Sequence, residues 1–386
     1  MLLLKLVCKN AFFRRPGRAL LTVAGMALAV LAFGMLRTVV DAWYAGVELS
    51  SATRLVTRNS ISLIFPLPLA YKERIKAVPG VATVAAANWF GGVYQDPKNF
   101  IAIFAVEEGP YFKLYPEYLV PDREMEDFNR DRQGCIAGRK IADRFHWKVG
   151  DAITISGTIF PGNWAMNVRG IYTGRDKNID ETQLIFHWDY LNETMKKTTP
   201  RRADQVGFYM VGIERPELAA EISQAIDARF ANSLAETRTE TEKAFQLGFV
   251  AMSSAIITAI RAVSVMVIFI IMAVAANTMA MAARERLGEF AVLKTLGFTP
   301  GWLALLMLGE SLAVSVAGGG LGLALTFPAA RAFGQAMSAF LPVFDVTEST
   351  VWMQAGVSLA VGLAAAAFPA LRAGRAPIAE ALRRIA

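Results

Sequence analysis

The chain has 386 residues, 54% of them hydrophobic and 19% charged, and a formal net charge of +7. A basic balance suggests nucleic acid, but here the lysines and arginines gather beside apolar segments, which excludes that partner in favour of anionic lipid. The two cysteines, Cys8 and Cys135, fall on opposite sides of a membrane in the topology reached below, so no structural disulfide is expected.

The first apolar segment, Ala19 to Leu36, is uncharged and long enough for one helical crossing, which takes roughly 20 residues at 1.5 Å each. It exceeds the apolar stretch of a cleavable signal peptide, and no small-residue box precedes Cys8 to mark lipid attachment. We read it as an uncleaved anchor. Three more such segments follow far downstream: Ala262 to Ala283, Trp302 to Ala330 broken only by Glu310, and Thr350 to Leu371. Any one of them could be a core helix of a soluble protein, but four in one chain argue against that. Helices are the expected form, because unpaired backbone groups cannot face lipid.

Between the first two segments lies a long polar region that reads as an α+β domain. Strands are expected at Ser60–Phe65, Val81–Ala86, Ile153–Ile155, Val168–Tyr172 and Val206–Ile213, and helices at Leu69–Val78, Arg139–Phe145 and Glu217–Phe230. Gly150-Asp151 and Pro79-Gly80 mark turns. The Pro- and acid-rich stretch Tyr115–Gln133 is expected to be a loop between two subdomains. From Glu236 to Ile260 the text is continuously compatible with helix, so the second membrane helix is expected to begin as a stalk, with Arg261 near the outer surface, where its side chain can snorkel.

Lysine and arginine beside the helix ends set the orientation. The leader holds Lys5, Lys9, Arg14, Arg15 and Arg18 with no acid; the second junction holds Arg284, Arg286 and Lys294 against Glu285 and Glu289; the tail holds four arginines against Glu380. The connection Gln335–Ser349 has Asp345 and Glu348 and no lysine or arginine. Both termini are therefore expected inside and the large domain outside.

Catalytic signatures are missing from the text. No nucleophile elbow, zinc-helix motif or phosphate-cradling loop occurs. His146 and His187 lack partners at metal-ligand spacing and read as exposed or structural histidines. Asp176, Asp180 and Glu181, interleaved with Arg175 and Lys177, read as a solvated mixed-charge turn. No catalytic residue, metal or cofactor is expected on this chain.

The most specific text runs from Asn277 to Gly309. The helix emerging at Arg284 leads into a charged turn that ends at Gly297, a residue suited to a left-handed cap. Thr299 can cap the next helix, with Pro300 at its first position. A short helix between two membrane helices results, placed to receive a push from a soluble partner. Arg284, Arg286 and Lys294 read equally well as positive-inside anchors. Glu310 is costly in a membrane segment unless paired, so it is expected to face protein or the interface. Gly318 and Gly322 form a G-x-x-x-G spacing that permits close helix contact, within one subunit or between two.

This stretch resembles the coupling region of MacB/LolC/FtsX-type ABC transporter permeases, which reads approximately R-x-R-E-[FIY]-x-x-L-[KR]-x-[LM]-G before a helix containing a glutamate. Arg284, Glu285, Arg286, Glu289, Phe290, Leu293, Lys294, Leu296, Gly297 and Glu310 match it, with Gly288 directly before Glu289, after Leu287, as a small departure. The resemblance extends to Lys9–Val30, to Pro369–Ile385 and, in the outer region, to Gly134–Gly157. It implies a membrane α-helical permease of four transmembrane helices, with a large α+β extracytoplasmic domain inserted between the first and second. The corresponding divisions are 1–44 for the leader and first helix, 45–243 for a MacB-like periplasmic core, and 244–386 for the stalk and FtsX-like permease region. It also implies ATP bound by a separate cytoplasmic ATPase subunit, a second permease copy or a paralogue, in some relatives a periplasmic adaptor, and residence in a bacterial inner membrane. Arg284 to Gly297 would be the ATPase contact. Export or release of a lipoprotein, peptide or drug is the expected function; an FtsX-like scaffold that activates a cell-envelope hydrolase is the alternative, and a membrane-anchored envelope enzyme is a third class.

Overall fold

Pro16, whose missing N–H costs nothing at a helix start, opens helix α1 (Pro16–Glu48) in the computed structural model, which describes residues 12, 16–48, 50–176, 179–337, 341 and 343–375. Cys8, most of the basic leader, and the tail from 376 onward lie outside the described residues. The chain divides into two units: a helical one formed by 1–42, 254–336 and 344–386, and an α/β one formed by 43–253 and 337–343.

The α/β unit starts with β1 (Arg54–Asn59), β2 (Leu67–Pro68), α2 (Tyr71–Lys76), β3 (Val81–Trp89), β4 (Gly92–Val93) and β5 (Phe100–Val106). Then come α3 (Glu108–Leu114), β6 (Tyr118–Leu119), α4 (Asp122–Arg130), β7 (Gly134–Gly138), α5 (Arg139–Phe145), β8 (Ala152–Gly157) and β9 (Gly162–Gly174). It ends with β10 (Gln183–His187), α6 (Trp188–Thr198), β11 (Gln205–Val206), β12 (Phe208–Ile213), α7 (Ala219–Phe230), β13 (Thr237–Thr241) and α8 (Glu242–Met252). Strand β5 carries β4 and then β3 along one edge and a parallel β10 along the other. Because β10 continues through β7, β9 and β8 back to β4, six strands close a ring. From β3 the sheet extends openly through β12 and β1 to β13.

Alternate strand residues feed two cores, as the two-residue period requires. Leu55, Tyr209 and Val211 enter the larger one, where Phe90 meets Trp164 and Phe186 edge-on at 5.2 and 5.1 Å. Val56 and Met210 enter the smaller one with Tyr111, Phe128 and Tyr172. Helix α7 buries Ala219, Ile222, Ile226 and Phe230, one face at helical spacing. Edge strand β13 points exposed Arg238 outward, and Asp227 of α7 accepts the Thr239 N–H at 3.0 Å, so the edge is blunted by charge and by a helix.

Three expectations are corrected. Ser60–Phe65 is a bent loop with Ile61 and Ile64 exposed; the strand precedes it, where Arg54 and Arg58 pair with Glu242 and Glu240 and so tolerate a sheet position. Tyr115–Gln133 is not a loop between subdomains: it holds β6 and α4, whose acidic first turn suits the helix dipole and whose Phe128 is fully buried. The stretch from Glu236 is not one helix. The β-branched Thr237, Thr239 and Thr241 pair with β1, the Thr241 hydroxyl caps α8 by accepting the Ala244 N–H at 3.2 Å, and the helix breaks at Ser253.

The helical unit continues with α9 (Ser254–Glu285), α10 (Leu287–Thr295), α11 (Pro300–Ala336) and α12 (Glu348–Arg375). Four helices, Pro16–Ala45, Ser254–Glu285, Pro300–Ala336 and Glu348–Leu371, are long and apolar enough to cross a membrane. Lipid removes most of the hydrophobic drive for helices to associate, leaving close packing and polar contacts to hold them. Here the Ser311 hydroxyl donates to the Gly362 carbonyl and Ser358 to the Ser315 carbonyl, each at 2.7 Å. The Gln354 amide donates to the Val30 carbonyl and the Thr326 hydroxyl at 2.8 Å, joining α1, α11 and α12.

Candidate coupling site

The short helix α10 is set by its ends. Gly297 takes φ +93°, its N–H reaches the Lys294 carbonyl and the Phe298 N–H reaches the Leu293 carbonyl, both at 3.0 Å, which together make a complete Schellman cap. The Thr299 hydroxyl then accepts the Trp302 N–H at 3.3 Å, with Pro300 at the first position of α11. The chain is thus turned sharply between two long apolar helices, as the text from Gly297 to Pro300 predicts.

One side of α10 is bound into its own unit. Arg286 donates through Nη1 to both oxygens of Glu310 at 2.6 and 2.7 Å, and its Nε lies 3.3 Å from Glu289. The guanidinium sits over the Phe290 ring at 5.1 Å. Phe290 itself is buried with Ala283, Leu303, Met307 and Ala370, and Leu293 packs against that cluster. Glu310, costly in an apolar helix, therefore has its counter-charge from the connector.

The other side faces outward. Val292 is 47% exposed, Leu296 71% and Phe298 38%, with Arg284 also exposed. Three exposed apolar side chains beside a charged turn form a surface suited to a partner. Glu285 pairs with Arg18 of α1 at 2.9 Å, both about a third exposed. Lys294 is half-buried.

The structure thus brings Arg286, Glu289, Phe290 and Glu310 into one cluster, with Leu293 alongside, and sets Leu296 apart on the exposed side. Gly318 and Gly322 make a separate contact. A Cβ on Gly318 would meet the Met26 Cβ at 2.6 Å, and one on Gly322 the Ala27 carbonyl at 2.5 Å, so the pair seats α1 of the same chain. Reading the sequence missed Val292, Phe298 and the partner role of Arg18. Val292 and Phe298 carry the signal of apolar residues flanking a capped turn; Arg18 carries none, since its partner lies 267 positions away.

Elsewhere, His146 is an exposed left-handed residue ending α5. His187 is buried, with Nδ1 3.2 Å from Glu108 and Nε2 2.8 Å from the Phe128 carbonyl. The hydrogen bond from His187 holds the Glu108 carboxyl below its usual range. Burial pushes the Cys135 thiol well up, making it a packing residue rather than a nucleophile. Among the described residues no group of three or more His, Cys, Asp or Glu is placed to hold a metal ion.

The MacB-like periplasmic core domain family matches residues 19–229, and the FtsX-like permease C-terminal family matches residues 261–378. A search of curated proteins returns no match. Among solved structures, the extracellular domain of the noncanonic ABC-type transporter YknZ from Gram-positive bacteria aligns at 11% identity over 49% of this chain and 100% of that one, TM-score 0.35. The periplasmic region of MacB from Actinobacillus actinomycetemcomitans aligns at 9% identity over 52% of this chain and 94% of that one, TM-score 0.37. With the periplasmic core match spanning more than half of its length and the permease match covering its last helices, the chain belongs to the MacB/FtsX-type family of ABC transporter permeases.

Proposed function

We propose that this permease couples ATP hydrolysis on a separate cytoplasmic subunit to movement of its α/β unit outside the membrane, and so exports or releases a lipoprotein, peptide or drug. The carrying observation is the two-sided connector: α10 is tied inward by Arg286–Glu310 and Phe290 and shows Val292, Leu296 and Phe298 outward. A push on the outer side is then delivered to α11 through a buried ion pair rather than lost in a loose turn. Arg284, exposed at the end of α9, supplies a positive rim for the same contact.

The test is purification of the full-length protein with its co-eluting subunits. An ATPase is expected in the complex, and Leu296→Asp, which places a charge on the exposed face without touching the buried cluster, should reduce its retention at least about tenfold, a loss of roughly 1.4 kcal/mol. A complex without an ATPase, or undiminished retention by the variant, would sink the reading.

A further inference from the structure

The continuous stretch 43–253 of the α/β unit is joined to long helices by a connection at each of its ends. One leaves α1 and enters β1 through Ser51 and Arg54; the other leaves β13 at Glu242 and runs along α8 toward α9. Because β1 and β13 are antiparallel neighbours with Leu55 opposite Thr241, the two connections enter side by side. A single buried carboxylate joins them there. Glu242 Oε2 accepts from Arg54 Nε at 2.7 Å and from the Ser51 N–H at 3.0 Å, while Oε1 accepts from the Tyr115 hydroxyl at 2.9 Å.

Arg54 carries the tie into the body of the unit. Its Nη1 donates to the Leu114 carbonyl at 2.8 Å and lies 2.7 Å from Glu117, and its guanidinium covers the Tyr115 ring at 4.2 Å. The side chains of Arg54 and Glu242 are both under a tenth exposed. Burial works against the arginine's charge, but Glu242, Tyr115 and Glu117 more than offset it and hold the guanidinium more firmly cationic than in water.

Stability alone does not call for such an arrangement, since apolar residues of similar volume often serve a buried position equally well. What the ion pair adds is geometry: a planar fork with fixed donors accepts one arrangement of its partners, whereas an apolar contact can slide. We propose that Arg54 and Glu242 are positioning residues that lock both connections to the body of the α/β unit, so that displacement of either adjoining helix reaches the sheet instead of being absorbed at the entry point. The proposal rests on the ATP-driven reading above.

The test uses the full-length protein with its co-purified ATPase and compares amide hydrogen exchange in β1, β12 and β13 with ADP and with ATP plus vanadate. Wild type should show a nucleotide-dependent difference. The double variant Arg54→Met with Glu242→Met should stay folded, destabilised by less than removal of Glu242 alone, and keep its ATP turnover within about twofold, yet lose most of the exchange difference. Arg54→Lys, which keeps the charge but not the fork, should fold and lose part of it. A full wild-type response in a folded double variant or in Arg54→Lys overturns the lock alone. A wild-type complex with no nucleotide-dependent difference overturns the transporter reading and the lock with it.

Discussion

Among the described residues, each unit holds a buried arginine–glutamate junction at a change of element, and the two are built differently. In the α/β unit the Arg54–Glu242 pair is surrounded by further partners: a backbone N–H, a carbonyl, a tyrosine hydroxyl, an aromatic face and Glu117. In the connector, Arg286 is held by buried Glu310 on one side and by Glu289, whose side chain is 41% exposed, on the other. The first junction keeps its second acid, Glu117, at 22% exposure and adds three uncharged hydrogen-bond partners. The second has fewer partners and, in Glu289, a more exposed acid beside it that can take over the arginine, a property that suits the drive point proposed above.

The largest effect should come from removing one acid at each junction. Glu242→Ala takes the acceptor from the Ser51 N–H and the Tyr115 hydroxyl and leaves the buried Arg54 with Glu117 alone, and should cost roughly 3–5 kcal/mol in chemical unfolding. Glu310→Ala should cost less, because among the described residues Glu310 accepts only from Arg286, which keeps Glu289 at 3.3 Å, whereas Glu242 accepts from three groups; adding Glu289→Ala should bring the loss up to the same range. Equal costs for the two single variants would erase the distinction.

These junctions also show where the sequence could be read and where it could not. The cap at Gly297 and Thr299 and the helix Arg139–Phe145 were legible because local residues dictate them, glycine for positive φ, threonine before proline for a helix start, and apolar spacing. Glu310 was legible as a residue needing a partner, but the partner was not, since it depends on how α10 folds back 24 positions away. Strand β1 was hidden by Arg54 and Arg58, whose charges are answered by residues some 180 positions later. The six-strand ring is likewise written only in long-range pairings such as Leu184 with Ile103. Periodicity carries local information; closure does not leave a local mark.

Next in size is the seating of α1. Gly322→Leu inserts a side chain where even a Cβ would meet the Ala27 carbonyl at 2.5 Å and the Val30 Cβ at 2.9 Å, and should cost about 1–3 kcal/mol of bundle stability, read by thermal unfolding in detergent. Gly320→Leu, on the same helix with nothing within 4 Å of a built Cβ, is the control and should be nearly silent.

A pH series separates the units further. The Glu108 carboxyl, held down by the hydrogen bond from His187, contributes stability that is fully present above its unfolded pKa of about 4.3 and is lost as pH falls through its lower folded value. Glu108→Gln should therefore be less stable than wild type at pH 7, and the gap should close in acid below about pH 4. A gap that stays constant with pH would remove the charge from the account. The smallest effect belongs to the connector's cap: Thr299→Ala should cost about 1 kcal/mol and leave retention of the ATPase unchanged.

The neighbouring strands β1 and β13 have a consequence for how such a protein can change over time. Since the first and last strands of the α/β unit, β1 and β13, are adjacent, with Leu55 opposite Thr241, the chain enters and leaves the sheet only about 5 Å apart across the ladder. A different domain with the same close-set ends could replace this one without altering the spacing at which the adjoining chain continues, and domain insertions succeed most readily under that condition. The engine and its attachment can then diverge separately, the one under pressure to keep its drive surface, the other open to exchange of whatever it handles.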